Sequence, residues 1–270
     1  MSDVALETPA ATARPRSVAP AVARTAWRLA AIGVLLIAWA IGSRVSDLVP
    51  GVVESFTAIA DAARDGTLWP ALKATLRASF TAFGVAFAIA IALGTLLGLS
   101  RFWGAVLDPF VMAMFAIPRF IVYPVLLAAF GVGITSKVAI GVLSALFPIL
   151  LNVTAGLRAV NPVLVKLSRS LACGPLQRLR MIYYPAALPA IMVGARLGFS
   201  VAFMVVVLAE LFAATDGLGL IVQSAYSGQR YAEMFGVVVL ITTIAFLGNY
   251  VLWRLELLVR SSVDAPVPPP

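Results

Sequence analysis

ASFTAFGVAFAIAIALGTLLGL, residues 78–99, runs between Arg77 and Arg101 without a single charged side chain. Coiled as an α-helix it is about 33 Å long at ~1.5 Å per residue, and a hydrocarbon core is ~30 Å thick. This stretch decides the fold class, because four more segments of comparable length and apolarity follow it at residues 109–130, 138–157, 190–213 and 234–253. A shorter one precedes it at residues 29–43, between Arg28 and Arg44, whose long side chains can reach the interface from a span this brief. The expectation is an all-α membrane protein, a polytopic bundle of about six transmembrane helices. The first span has the basic flank of a signal peptide, but the long region before it, with Arg14, Arg16 and Arg24, fits an uncleaved anchor better.

Composition agrees. The 270-residue chain is 61% hydrophobic and 12% charged, against roughly half and a quarter in soluble domains. It contains no His and a single Cys, Cys173, which removes imidazole metal sites, His-based triads, CxxC motifs and an internal disulfide from consideration. No GxxxxGK[ST] phosphate loop occurs, so an ATP-driven process would need a partner polypeptide. The reading is therefore of a chain that is not an enzyme and holds no metal or cofactor of its own.

A net charge of +8 in a soluble protein would suggest nucleic acid; in a membrane protein it points to basic loops held in the cytoplasm, and no nucleic-acid partner is expected. With six spans both termini share one side. That side carries twelve Lys and Arg against five Asp and Glu, while the other carries six of each. Both termini are expected in the cytoplasm, with the chain multi-pass in a cytoplasmic (inner) membrane. Residues 1–25 and 261–270, rich in Ala, Pro and Arg or in Pro alone, are expected to be disordered tails around a membrane domain at 26–260. Residues 54–65 (ESFTAIADAARD) place Phe56, Ile59, Ala60 and Ala63 on one helical face, an amphipathic helix at the outer surface.

The longest cytoplasmic connection, 158–189, is basic and interrupted by Gly174, Pro175, Pro185 and Pro189. Two short helices joined by a turn fit it. Asn161 and Pro162 supply an N-cap followed by proline at the first helical position, and Leu164, Leu167, Ser168 and Leu171 fall on one face suited to a partner's groove.

From about Leu48 to Val259 the residues resemble the permease subunits of bacterial ABC importers of the nitrate, sulfonate and taurine type. The strings that carry the resemblance are Phe147-Pro148-Ile149-Leu150-Leu151-Asn152-Val153-Thr154-Ala155-Gly156, Ala209-Glu210 and Thr215-Asp216-Gly217-Leu218-Gly219, in family order and spacing. That family's loop begins Glu-Ala-Ala, with a Gly six residues after the Glu and a Pro thirteen after that Gly. Counted back from Pro185, the equivalent positions here hold Lys166-Leu167-Ser168 and Ala172: the spacing is kept and the letters are not.

The resemblance implies a type I ABC importer permease fold and two permease copies, most simply a homodimer, around one pathway in the lipid bilayer. It also implies cytoplasmic ABC ATPases that bind ATP and Mg, and a periplasmic or extracellular substrate-binding protein. It assigns ATPase coupling to Lys166, Leu167, Ser168, Arg169, Leu171, Ala172, Cys173 and Gly174. Relatives carry nitrate, sulfonates, taurine, bicarbonate and some heterocycles, and a small anion is the default cargo.

Three ionisable residues fall within spans, where a charge costs on the order of 3 kcal/mol, so each should face protein or a watery cavity. Arg119, near mid-span in IPRFIVYP (117–124), is the first candidate for an anion's partner; its alternative is a structural contact between helices. The two prolines predict a kink there. Tyr123, Asn152 and Glu210 complete the candidate pathway, with Glu210 also suited to holding the Gly-rich turn after it or to gating. Arg196 reads as a snorkelling residue, Gly94 and Gly98 as a close-packing site inside the subunit, and Cys173 as inert. An ion-coupled secondary transporter or channel is the alternative, and it expects a carboxylate relay or inverted repeats; a scaffold without transport also remains open.

Overall fold

The computed structural model describes residues 19–46 and 48–263; of the expected tails, 1–18 and 264–270 lie outside it. All of its regular structure among the described residues is helical. A first unit, ending at Val52, contains α1 (Ala19–Val45). The Trp39 indole donates to the Pro50 carbonyl at 3.0 Å and folds the following turn back onto this helix. Val34, Leu35, Ile37 and Ile41 are exposed, as suits a helix surrounded by lipid. Its apolar run, Gly33–Val45, is the short span of the sequence.

The second unit holds α2 (Val52–Arg64), α3 (Leu68–Leu99), α4 (Arg101–Ala116), α5 (Tyr123–Phe130), α6 (Ile134–Arg158), α7 (Pro162–Ser170), α8 (Pro175–Arg178), α9 (Tyr184–Phe212), α10 (Leu218–Ser227) and α11 (Tyr231–Val263). Four segments, Leu68–Leu99, Ile134–Arg158, Pro175–Phe212 and Tyr231–Val259, are long and apolar enough to cross a membrane. A further apolar pair, α4 followed by Arg119–Phe130, is bent by 83° and makes a fifth crossing if it is one broken span, or a re-entrant loop if it is not. The bend is sharper than a kink: Ile117 and Pro118 are extended, and a 3-10 turn over Arg119–Val122 restarts the helix. The residue before a proline disfavours helical geometry, so the break falls where the sequence places it.

Helix α6 lies between α3 and α9, and small residues let the three approach. On α3, Ala78, Ala82, Ala86 and Ala90 are fully buried at a four-residue repeat that continues through Gly94 and Gly98. A Cβ at Gly94 would lie 2.6 Å from Val153 Cγ1, and one at Gly98 would lie 2.9 Å from Leu157 Cβ, so this face closes on α6 within the subunit. Gly194 of α9 meets α6 likewise at Asn152 Cβ. Ala145, Ile149, Leu150, Ala187, Ile191, Ala202 and Val206 fill the space between.

Two expectations shift. Helix α2 buries Ser55 and Ala62 and packs Ile59 and Ala63 against Leu68, Leu218 and Val237, while Phe56 is 53% exposed. The contact face is turned away from Phe56 because Gly236 of α11 leaves room for the α2 backbone at Ser55, 2.5 Å from where a Cβ would stand. Of the two short helices expected in the 158–189 connection, α7 is one and a turn joins it to α8, but the second is not short and runs on through Pro185 and Pro189. Pro185 occupies the first turn of α9 and Pro189 lies inside it, behind a π-helical turn at Leu179–Tyr183 that joins α8 to α9 in one run.

Candidate functional site

One end of the second unit, where α9 meets α10, is closed by a buried ionic cluster. Glu210 and Lys137 are both almost wholly buried and their side chains lie 3.2 Å apart. Lys137 Nζ also donates to Asp216 Oδ1 at 2.5 Å and to the Asp216 carbonyl at 3.1 Å. The other Glu210 oxygen accepts from Thr75 Oγ1 at 2.7 Å and from the Gly219 amide at 3.2 Å. Thr75 Oγ1 in turn accepts from the Leu218 amide at 2.9 Å. Every polar atom of the pair thus has a partner, which is what makes burying two charges tolerable.

The string Thr215-Asp216-Gly217-Leu218-Gly219 has a physical reading here. Gly217 has φ +113°, and a Cβ on it would fall on the Glu210 carboxyl; at Gly219 a Cβ would sit 2.6 Å from Glu210 Cβ. The carboxylate therefore reaches the Gly219 amide, in the first turn of α10, only over glycine. Lys137 and Thr75, which sequence reasoning passed over, complete the cluster. The available signal was a lone acid in a span, which requires a cation, and a Lys in the first turn of an otherwise apolar helix.

Tyr123 is fully buried beside this end. Its hydroxyl donates to the carbonyls of Ala209 (3.3 Å) and Ala213 (3.1 Å), at the close of α9, and its ring stacks on Phe120 at 5.2 Å. Neither Tyr123 nor Glu210 presents a polar atom to an open surface. Arg119 does. It is half-buried, donates to the carbonyls of Ser144 (3.3 Å) and Phe115 (3.2 Å), and lies over the rings of Phe115 and Phe147 at 5.0 and 5.5 Å. Carbonyls and rings steady the guanidinium without neutralising it. Asn152, also half-buried, donates to Pro148 O at 2.8 Å, one turn back on its own helix; the carbonyl that Pro148, lacking an N–H, leaves without a helical donor is that of Ser144, which Arg119 takes up. Arg196, expected to snorkel, instead pairs with Glu256 at 3.2 Å and ties α9 to α11.

The opposite end carries the 158–189 connection. The Asn161 side chain caps α7, accepting from the Val163 amide at 2.9 Å, with Pro162 at the first turn. Helix α7 has two opposed faces. Leu164, Leu167, Ser168 and Leu171, with Cys173, Gln177, Met181, Ile182, Pro185 and Ala186, line an apolar groove of about 640 Å³. Pro162, Val165, Lys166 and Arg169 face a second cavity of about 680 Å³ against the α3–α4 turn and the end of α6. Of the residues expected to couple to an ATPase, Leu167, Ser168, Leu171 and Cys173 line the first and Lys166 and Arg169 the second, while Ala172 and Gly174 line neither.

Helix α7 ends in a Schellman turn: the Cys173 amide bonds Ser168 O and the Ala172 amide bonds Arg169 O, both at 3.0 Å. Ala172 stands at the left-handed position of that motif, with φ +52°. The position that the spacing equates with a glycine is thus one whose backbone asks for glycine, and an alanine holds it.

Comparison with known proteins is consistent with this arrangement. The family model described as "Binding-protein-dependent transport system inner membrane component" matches residues 84–263. The taurine transport system permease protein TauC of Escherichia coli is 32% identical over 183 residues, which span 68% of this chain and 66% of that relative. The nitrate import permease protein NrtB of a Synechocystis species is 28% identical over 255 residues, 91% of this chain and 90% of that one. Among solved structures, an inward-facing form of the MetNI methionine ABC transporter superposes on 71% of this chain and 95% of its own with a TM-score of 0.64 at 22% identity, a likeness of fold.

Proposed function

The chain belongs to the binding-protein-dependent transport system inner membrane components, as a permease subunit of an ATP-driven importer and not an enzyme, and we propose that its cargo is a small anion. Sulfonates and nitrate are the first compounds to try, since the names of its relatives include a taurine permease and a nitrate permease. The observation that carries the anion reading is Arg119. It is a permanently charged guanidinium at the break of a bent helix pair, held by two carbonyls and two rings and paired with no carboxylate among the described residues. Asn152 lies on the same helix as Ser144, about two turns on. Tyr123 and Glu210 act from behind, the first by closing α9 and the second by holding the α9–α10 turn.

In this reading ATP and Mg bind to a separate ABC ATPase, a binding protein delivers cargo at the α10 end, and a second permease copy completes the pathway. The α7 end and both termini face the cytoplasm. The apolar face of α7 seats in the ATPase as a helix in a groove, and its position between α6 and α9 lets a push on α7 reach both of the central helices. A secondary transporter would need a carboxylate able to take up and release protons along the pathway; Glu210 is instead committed to Lys137, Thr75 and Gly219.

The test is uptake of labelled taurine, an alkyl sulfonate and nitrate by cells that rely on this permease. Wild type, Arg119→Lys and Arg119→Ala are compared at matched membrane abundance. Arg119→Ala abolishes uptake of the cargo and Arg119→Lys retains part of it; unchanged uptake in both removes the anion reading. Purification from native membranes with an ATPase and a secreted binding protein supports the importer assembly, and recovery of this chain alone counts against it.

A further inference from the structure

We propose that the cavity on the basic face of α7 is a binding site for the phosphodiester headgroup of an anionic phospholipid. This stands apart from the cargo reading and requires only that the chain spans a bilayer. The cavity, about 680 Å³, is lined by Arg101, Arg158, Lys166 and Arg169, with the one acid Asp108. That acid is already neutralised: Arg158 holds it bidentately at 2.7 and 3.1 Å and uses a third bond, 3.0 Å, on the Leu97 carbonyl. Arg101, Lys166 and Arg169 have no ion pair among the described residues. Three uncompensated cations thus converge on a recess whose internal counter-charge is used up, and such a recess calls for an external anion.

The surroundings identify that anion as part of a lipid. Gly98 and Leu99, where the apolar span of α3 ends, line the cavity. Next to Arg101, Phe102 and Trp103 form an edge-to-face pair at 5.4 Å, both exposed, at the depth where aromatic side chains mark a membrane interface. From Phe102 an exposed apolar row continues along α4 through Val106, Phe110 and Met114 at a four-residue repeat. A headgroup in the cavity would have its acyl chains start on that row. A free phosphate would use the cations alone and leave the row without a role, and the groove for a protein partner lies on the other face of α7.

The experiment uses the full chain, purified and delipidated in mild detergent. It is titrated with phosphatidylglycerol or phosphatidylcholine of identical acyl chains, and bound lipid is counted by native mass spectrometry. Three cations near a headgroup favour the anionic lipid by about a hundredfold. In Arg101→Gln/Lys166→Gln/Arg169→Gln that preference falls to within about fivefold. The single exposed change Lys166→Glu, which places a counter-charge in the cavity without touching the packed bundle, lowers it about tenfold and guards against a misfolded triple variant. Equal retention of the two lipids by the wild type, or an undiminished preference in both variants, overturns the proposal. Inorganic phosphate is the other arm: if it binds the wild type without lipid and displaces phosphatidylglycerol at equal concentration, the site takes a free anion and the lipid assignment fails.

Discussion

The two ends of the second unit handle their charges in opposite ways. At the α10 end, Lys137 and Glu210 are buried and each finds its partners inside the chain: Asp216, Thr75 and the amide of Gly219. At the α7 end, Arg101, Lys166 and Arg169 have no ion pair among the described residues, and Leu164, Leu167 and Leu171 are exposed at 46%, 55% and 69%. The cluster at the first end is satisfied within the chain. The second has the polar and apolar surfaces of something still to be joined, which fits a subunit whose motion is driven from one side by other molecules. Substitutions should therefore cost stability at the α10 end and cost association at the α7 end.

The sharpest break in that contrast is Lys137→Met. It keeps much of the apolar stem and leaves Glu210 and Asp216 without their cation, one of them in a buried site. Removing one member of a buried pair typically costs 3–5 kcal/mol, so the thermal midpoint of the detergent-solubilised protein should fall steeply, with Lys137→Met/Glu210→Gln recovering part of the loss. A single variant as stable as wild type would show that the cluster does not hold this end. Gly217→Ala comes next, at about 3 kcal/mol. Its φ of +113° is outside the range of L side chains and its Cβ would displace the Glu210 carboxyl, so both strain and lost hydrogen bonds contribute. It should lower the same midpoint and be additive with changes on α7, at the opposite end of the unit.

How much of this was legible in the sequence follows the same division. The spans, the break at Ile117-Pro118 and the Asn161 cap rest on local rules, hydropathy over ~20 residues, proline geometry and cap chemistry, and these need no knowledge of the rest of the chain. The ionic cluster is non-local. Thr75 and Glu210 stand 135 residues apart, and Lys137 counts among the exposed charges of an outer loop until the packing of α6 between α3 and α9 draws it inside. Arg196 is non-local in the same way, because its partner Glu256 lies on another helix. Spacing carried more than identity at Ala172. The glycine position is found by counting, and only the backbone explains why the count matters.

Ala172→Gly reverses the sign of the effect. A left-handed residue with a Cβ costs roughly 1–2 kcal/mol, and the extra freedom that glycine gives the unfolded chain returns part of this, so the Schellman turn should gain about 0.5–1 kcal/mol. Hydrogen exchange at the Cys173 amide, bonded to Ser168 O, should slow by a few-fold while amides in α6 and α9 are unchanged. Exchange that is unaltered at Cys173 would mean that the turn is not the element limiting order at this end.

The smallest expected change in this chain's own stability is Leu167→Gln. Glutamine forms helix about as well as leucine, and Leu167 is 55% exposed on the groove side of α7, so the thermal midpoint should stay within ~0.5 kcal/mol of wild type. Association is where it should register. An apolar anchor lost from a helix-in-groove contact commonly costs on the order of 2 kcal/mol, which means an ATPase co-purifying with this permease should bind about tenfold or more weakly. Lys166→Gln, one residue earlier but turned toward the other cavity, should leave that association nearly intact. If the two substitutions weaken ATPase capture equally, the two faces of α7 do not act separately; if only Leu167→Gln does, the helix presents one face to its motor and reserves the other.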